Sequence, residues 1–86
     1  MASKAVAVYL IDHPVAGDVI PGAAGARKLR WAAKGKGKRG GARIIYFVIA
    51  ARIYLLRCYA KNVRTNLTAD EKKALRKIAA HLKGVQ

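Results

Sequence analysis

Acidic side chains are what this chain has least of. Four Asp or Glu stand against 18 Lys or Arg in 86 residues, and none lies between Asp18 and Asp70. Asp12, Asp18, Asp70 and Glu71 fall at the ends of expected elements. No carboxylate pair is therefore at hand for glycosidase, aspartic-protease or two-metal nuclease chemistry. Ser3 is the only serine, which removes a Ser-His-Asp set. Cys58 is alone, so no internal disulfide or cysteine zinc site can form, and a reducing, cytoplasmic compartment is expected. His13 and His81 lack metal-ligand company, and no metal or other cofactor is expected. The longest uncharged apolar run, Ile44 to Ala51, is eight residues, against about 20 for a spanning helix. The apolar start of the chain is cut short by Asp12 and His13, and no cleavage site follows. Neither a membrane segment nor a signal peptide is expected.

What is present is positive charge on a globular composition. The net charge is +14, and 53% of residues are hydrophobic, too many for a disordered basic tail. A small body with that charge repels itself, and a polyanion is the compensating partner, because neutralising phosphates releases counterions. The cations are interleaved with apolar β-type segments, so the expectation is a folded basic surface that meets nucleic acid. The length fits one domain, residues 1–86, with a marginal core.

The pattern predicts an α+β fold: a short helix over 4–12, three strands, and a C-terminal helix. Residues 13–25, punctuated by Pro14, Gly17, Pro21, Gly22 and Gly25, read as a loop or a pair of turns. In residues 26–33, Arg27, Leu29 and Trp31 share one face, and Lys28 and Arg30 the other. Residues 42–50 are apolar on both faces, as in a central strand. After a tight connection near Ala50 to Arg52, alternation places Ile53, Leu55, Arg57, Tyr59 and Lys61 on one face. Thr68-Ala-Asp-Glu71 is a capping box, and Leu75, Ile78, Ala79 and Leu82 form the apolar stripe of the helix that follows. Short connections favour a small antiparallel meander of about three strands with both helices on one face.

Gly35-Lys-Gly-Lys-Arg-Gly40 matches a dinucleotide fingerprint only by letter, since a strand and not a helix follows it. Its glycines suit a loop in which Lys34, Lys36, Lys38 and Arg39 follow a phosphate backbone. Asn66-Leu67-Thr68 matches a glycosylation acceptor, but Thr68 is better used as the helix cap. Lys28, Arg30, Arg43, Arg57, Tyr59 and Lys61 can meet on one surface of a meander. Tyr59 can stack on a base or pack as an amphipathic edge residue.

Several of these blocks, in order, resemble the RelE/HigB toxins of bacterial type II toxin–antitoxin systems. They are Asp18-Val-Ile-Pro-Gly22, Gly25-Ala-Arg-Lys-Leu-Arg-Trp-Ala32, Gly37-Lys-Arg-Gly-Gly-Ala-Arg-Ile-Ile-Tyr46, Ile53-Tyr-Leu-Leu56, Tyr59-Ala-Lys-Asn62 and Leu67-Thr68. The likeness runs from residue 14 to 83. It implies a curved antiparallel sheet with helices packed on it, and a metal-independent enzyme that cuts mRNA on the ribosome. It also implies a cognate antitoxin partner, often a helix-turn-helix protein. By the same resemblance Arg43 serves phosphate and transition-state charge, Lys28 and Arg30 form the basic pair, and Lys61 shuttles a proton. Lys34, Lys36, Lys38, Arg39, Arg57 and Tyr59 are then expected to contact RNA.

Two departures from the family pattern stand out. The chain begins late and is expected to lack a first strand, leaving a sheet edge exposed or completed by another chain. The connection at Ala50 to Arg52 is short. Two other readings stand beside this one: a non-enzymatic RNA- or ribosome-binding protein, which the composition fits equally well, and, by the same family resemblance, a ParE-like inhibitor of DNA gyrase on the same fold.

Overall fold

The computed structural model describes residues 3–31, 41–60 and 66–84. The order is α1 (Ser3–Asp12), β1 (Asp18–Val19), β2 (Arg27–Trp31), β3 (Ala42–Ile49), β4 (Arg52–Ala60) and α2 (Ala69–Gly84). The strands form one antiparallel sheet in the order β1-β2-β3-β4. The expected α+β meander is present, with four strands among the described residues where about three are expected. The added strand, β1, is two residues inside the segment read as a loop. Pairing of Asp18 with Lys28 and Val19 with Arg27 makes it a strand.

The helices lie on opposite faces of the sheet, not on one. On β3, Ile44 and Tyr46 pack with Val6 and Leu10 of α1 and with Leu29. Ile45, Phe47 and Ile49 pack with Leu75 and Ala79 of α2 and with Ile20, Ala23 and Ala26. The physical reason is visible in β3 itself. Five consecutive residues, Arg43 to Phe47, are buried, and a strand buried on both faces needs a layer on each side.

α1 stops ahead of Pro14, whose ring disfavours helical backbone at the preceding residue. It buries Val6 and Leu10, one turn apart, and leaves Val8 and Ile11 exposed. The capping box of α2 forms as expected. The Thr68 N–H donates to Glu71 Oε1 at 2.8 Å, and the Glu71 N–H donates to Thr68 Oγ1 at 3.2 Å. Of the expected stripe, Leu75 and Ala79 are buried and Leu82 half-buried, whereas Ile78 is exposed.

The turns are built from the residues their geometry requires. Ala23 N–H donates to Ile20 O across Pro21 and Gly22, with Gly22 at φ 78°, the pattern of a type II turn. Ala26 N–H then donates to Ala23 O across Ala24 and Gly25, both at positive φ, and Ile20 N–H closes the loop onto Ala26 O at 2.8 Å. The β3–β4 connection is a two-residue hairpin: Ile49 pairs with Arg52, and Ala50 and Ala51 sit at φ 53° and 63°. Two left-handed residues match the strand twist, at a conformational cost for alanine.

One irregularity overturns an expected face. The β3–β4 register shifts between Ile45, opposite Arg57, and Tyr46, opposite Leu55. A bulge of this kind adds a residue and reverses the alternation. Ile53 therefore packs on the α1 side, while Tyr54, Leu56 and Tyr59 pack on the α2 side. Ile53 and Leu55 do not share a face with Arg57 and Tyr59.

Candidate nucleic-acid interface

Pairing register brings part of the cationic set together. Arg30 lies opposite Arg43, and Arg43 lies opposite Tyr59, so the three form a row across β2, β3 and β4. The next row is Asp18, Lys28, Ile45 and Arg57. Directly opposed side chains on neighbouring strands are about 5 Å apart at Cβ and point to one side. Ile45 belongs to the core beneath α2, so both rows are on the α2 face. Asp18 and the basic residues Lys28, Arg30, Arg43 and Arg57 thus occupy one compact stretch of sheet.

Arg43 is the centre of this stretch. It is 8% exposed, and it is the only charged residue buried among those described. Its guanidinium makes no hydrogen bond or ion pair among the described residues, and its nearest cross-strand neighbour on β2 is another arginine. Burying a charge without a counter-charge is costly, and like charges directly opposed destabilise a sheet. The arrangement favours an anion held by several planar N–H donors at once.

The other residues differ in how free they are. Arg30 is exposed. Lys28 is half-buried and its Nζ donates to Asn66 Oδ1 at 3.5 Å. Arg57 is half-exposed and pairs with Glu71 at 3.3 Å, tying β4 to the first turn of α2. Tyr59 packs its ring against the α2-side core and its hydroxyl is buried, the placement of an amphipathic sheet residue. Lys34, Lys36, Lys38, Arg39 and Lys61 lie outside the described residues. No group of three or more His, Cys, Asp or Glu side chains suited to a metal occurs among the described residues. No described helix is long and apolar enough to cross a membrane.

Beside these rows, a groove of about 220 Å³ opens between β1 and the start of α2, lined in part by Asp18, Lys28, Asn66 and Lys72. Sequence reasoning assigned no role to Asp18, Asn66 or Lys72. Only the register that sets Asp18 against Lys28 brings them to the cationic face.

The rim of the groove is firmly held. Tyr46, fully buried on the opposite face, donates its hydroxyl to Pro14 O and accepts from the Gly17 N–H, both at 2.9 Å. Arg27 donates to Gly17 O at 2.7 Å and to Val15 O at 3.4 Å. A Cβ at Gly17 would lie 2.9 Å from the Tyr46 ring and 3.0 Å from the Lys28 backbone, so only glycine passes there. On the α2 side, Arg76 donates to Gly22 O at 2.6 Å.

Residues 11–86 match the family model described as the RelE toxin of the RelE/RelB toxin–antitoxin system. The match covers both rows of the cationic face and both walls of the groove.

Proposed function

The chain belongs to the RelE toxin family, toxins of toxin–antitoxin systems, and from that premise we propose that it is a ribosome-dependent, metal-independent mRNA endonuclease that halts translation in the cytoplasm. Its partners in this reading are the ribosome with its mRNA and a cognate antitoxin of the helix-turn-helix kind that neutralises it. The observation that carries the reading is Arg43: a buried cation, opposed by Arg30, with no acidic partner among the described residues.

The chemistry asked of the site is an in-line transfer. The 2′-hydroxyl upstream of the scissile bond attacks the adjacent phosphorus, forming the O2′–P bond as the P–O5′ bond breaks. One proton leaves O2′ and one arrives at O5′, giving a 2′,3′-cyclic phosphate and a 5′-hydroxyl. Arg43 and Arg30 neutralise the phosphorane-like transition state, where charge is greatest. Lys28, held by Asn66, fixes the neighbouring phosphate. Lys61 carries a proton, a role no arginine can fill because the guanidinium stays protonated. Lys34, Lys36, Lys38 and Arg39 grip RNA backbone, with Arg57 and Tyr59 at the β4 side.

The test is primer-extension mapping of a defined mRNA on programmed ribosomes, with wild type and Arg43→Ala in parallel. Cuts at the decoding site with wild type, lost in the variant, are expected. Intact mRNA with tight ribosome binding by the wild type would sink the enzyme reading. Inhibition of gyrase supercoiling instead would move the target to DNA topology.

A further inference from the structure

Asp18 is an anomaly on a face built of cations. It is the directly opposed neighbour of Lys28, yet its carboxylate makes no ion pair or hydrogen bond among the described residues. Lys28 reaches past it to Asn66. The backbone on either side of it is nonetheless pinned. Gly17, the residue before it, is locked by Tyr46 and Arg27, and Ile20, two residues on, is buried and closes a hydrogen-bonded loop with Ala26. An exposed acceptor carried on backbone pinned in this way is placed to receive donors from a ligand.

The groove in front of Asp18 has the make-up of a site for a flat heterocycle. Its lining combines apolar side chains, Ile20 and Leu67, with the polar groups of Asp18 and Asn66 and the cations of Lys28 and Lys72. Its volume of about 220 Å³ lies below that of pockets for drug-sized ligands, roughly 300–1,000 Å³, and suits a single base. Single-stranded RNA offers its Watson–Crick edges to such a site. Among the four bases, guanine alone presents two adjacent N–H donors on that edge, N1–H and the N2 amino group. A carboxylate, with two acceptor oxygens and no donor, matches that pair bidentately. Uracil, with O4 and O2 flanking its single N3–H, sets an acceptor against the second carboxylate oxygen.

We infer that the groove between β1 and α2 is a nucleobase pocket that selects guanine through the Asp18 carboxylate, while Lys28 and Lys72 hold the flanking phosphates. The inference rests on the reading of the substrate as single-stranded RNA. It adds to that reading a choice of base, made one row away from Arg43.

The test is equilibrium binding of the full chain, by fluorescence anisotropy at fixed salt, to short uridine oligoribonucleotides carrying one central guanine, adenine or cytosine. Sugars are 2′-O-methylated so that no strand is cut. Wild type is expected to bind the one-guanine strand at least about fivefold more tightly than the all-uridine strand, the lower end for a bidentate base contact. Asp18→Asn should abolish that preference yet bind the all-uridine strand as tightly or more tightly, since one negative charge is gone. The split in sign separates recognition from structure and from bulk charge. Absence of a guanine preference in wild type overturns the inference without recourse to any variant. So does an Asp18→Asn variant that shifts every strand by one common factor. Ribosome cleavage separates this inference from the enzyme reading. Guanine selectivity without cleavage leaves the pocket standing and removes the nuclease. Cleavage whose site choice is unchanged in Asp18→Asn does the reverse.

Discussion

On the α1 face of the sheet, whose core includes Leu29, Ile44, Tyr46 and Trp31, Arg27 spends its guanidinium on the carbonyls of Gly17 and Val15. On the α2 face, Arg43 is more deeply placed, buried where Arg27 is half-buried, but has neither carbonyl nor carboxylate among the described residues, and Arg30 stands opposite it. The same residue type, on adjacent strands of one sheet, thus serves two ends. Arg27 is satisfied within the chain, and its charge-assisted hydrogen bonds hold a loop. Arg43 is left unsatisfied, and self-repulsion with Arg30 makes an external anion its best partner. Where a protein leaves a buried charge unanswered, the answer is to be sought in a ligand.

The strongest way to break this contrast is to neutralise each arginine in turn. Arg43→Gln should lower mRNA cleavage by about 100-fold or more, the scale seen when one transition-state donor is removed, while thermal stability holds or rises because a buried, repelled cation is gone. Arg27→Gln should do the opposite: stability falls by roughly 1.5–3 kcal/mol, the worth of hydrogen bonds to a charged group, and any loss of cleavage follows the loss of folded protein. Thermal melts and ribosome cleavage on both variants settle the matter. Destabilisation of both to a like degree would erase the distinction.

A second test acts from the α1 face, on the bridge that holds the loop before β1. Tyr46→Phe strips the bridge between Pro14 O and the buried Gly17 N–H, which should cost about 1–3 kcal/mol in urea unfolding. Gly17→Ala forces the Tyr46 ring and the Lys28 backbone apart and should cost a similar amount, about 1–3 kcal/mol. These two residues touch, so the double variant should fall short of the sum. Additivity would show that the bridge does not hold the loop.

Much of this architecture was legible in the sequence. Thr68 and Glu71 announce the start of α2 because a capping box is local chemistry, satisfied within four residues. The buried run from Arg43 to Phe47 announces a central strand for the same local reason. Three features were not legible because they depend on pairing. β1 is two residues long and exists only through its register with β2. The bulge opposite Ile45 and Tyr46 exchanges the faces of β4, which no alternation within Ile53 to Lys61 can reveal. The two-sided placement of the helices follows from β3 being buried on both faces, a consequence that short connections alone do not carry. For the site, alternation placed Lys28 with Arg30, and register then joined them to Arg43. Asp18, Asn66 and Lys72 come from three separate segments and meet only in the folded chain.

The hairpin joining β3 to β4 offers a change that should leave both faces alone. Ala50 and Ala51 occupy left-handed backbone, which disfavours an L-residue with a Cβ by about 1–2 kcal/mol. Ala50→Asn with Ala51→Gly supplies the residues this turn prefers and should stabilise the fold by about 1–2 kcal/mol, with cleavage unchanged. Stabilisation with altered cleavage would mean that strain in the hairpin is transmitted to the cationic rows.

The smallest expected effect bears on Arg57, which sits on the α2 face yet is held internally, as Arg27 is. Glu71→Gln isolates the question. Glutamine keeps an oxygen to accept from the Thr68 N–H, so the capping box survives, but the negative charge 3.3 Å from Arg57 is lost. The pair is half-exposed on its arginine side, so stability should change by about 1 kcal/mol or less. If Arg57 belongs to the RNA-binding surface, releasing it should tighten single-stranded RNA binding at low salt and steepen the salt dependence, since one more cation becomes free to displace a counterion. Unchanged affinity and slope would place Arg57 with Arg27, as a cation that serves the fold, and would confine the RNA-facing charge of the two cross-strand rows to Lys28, Arg30 and Arg43.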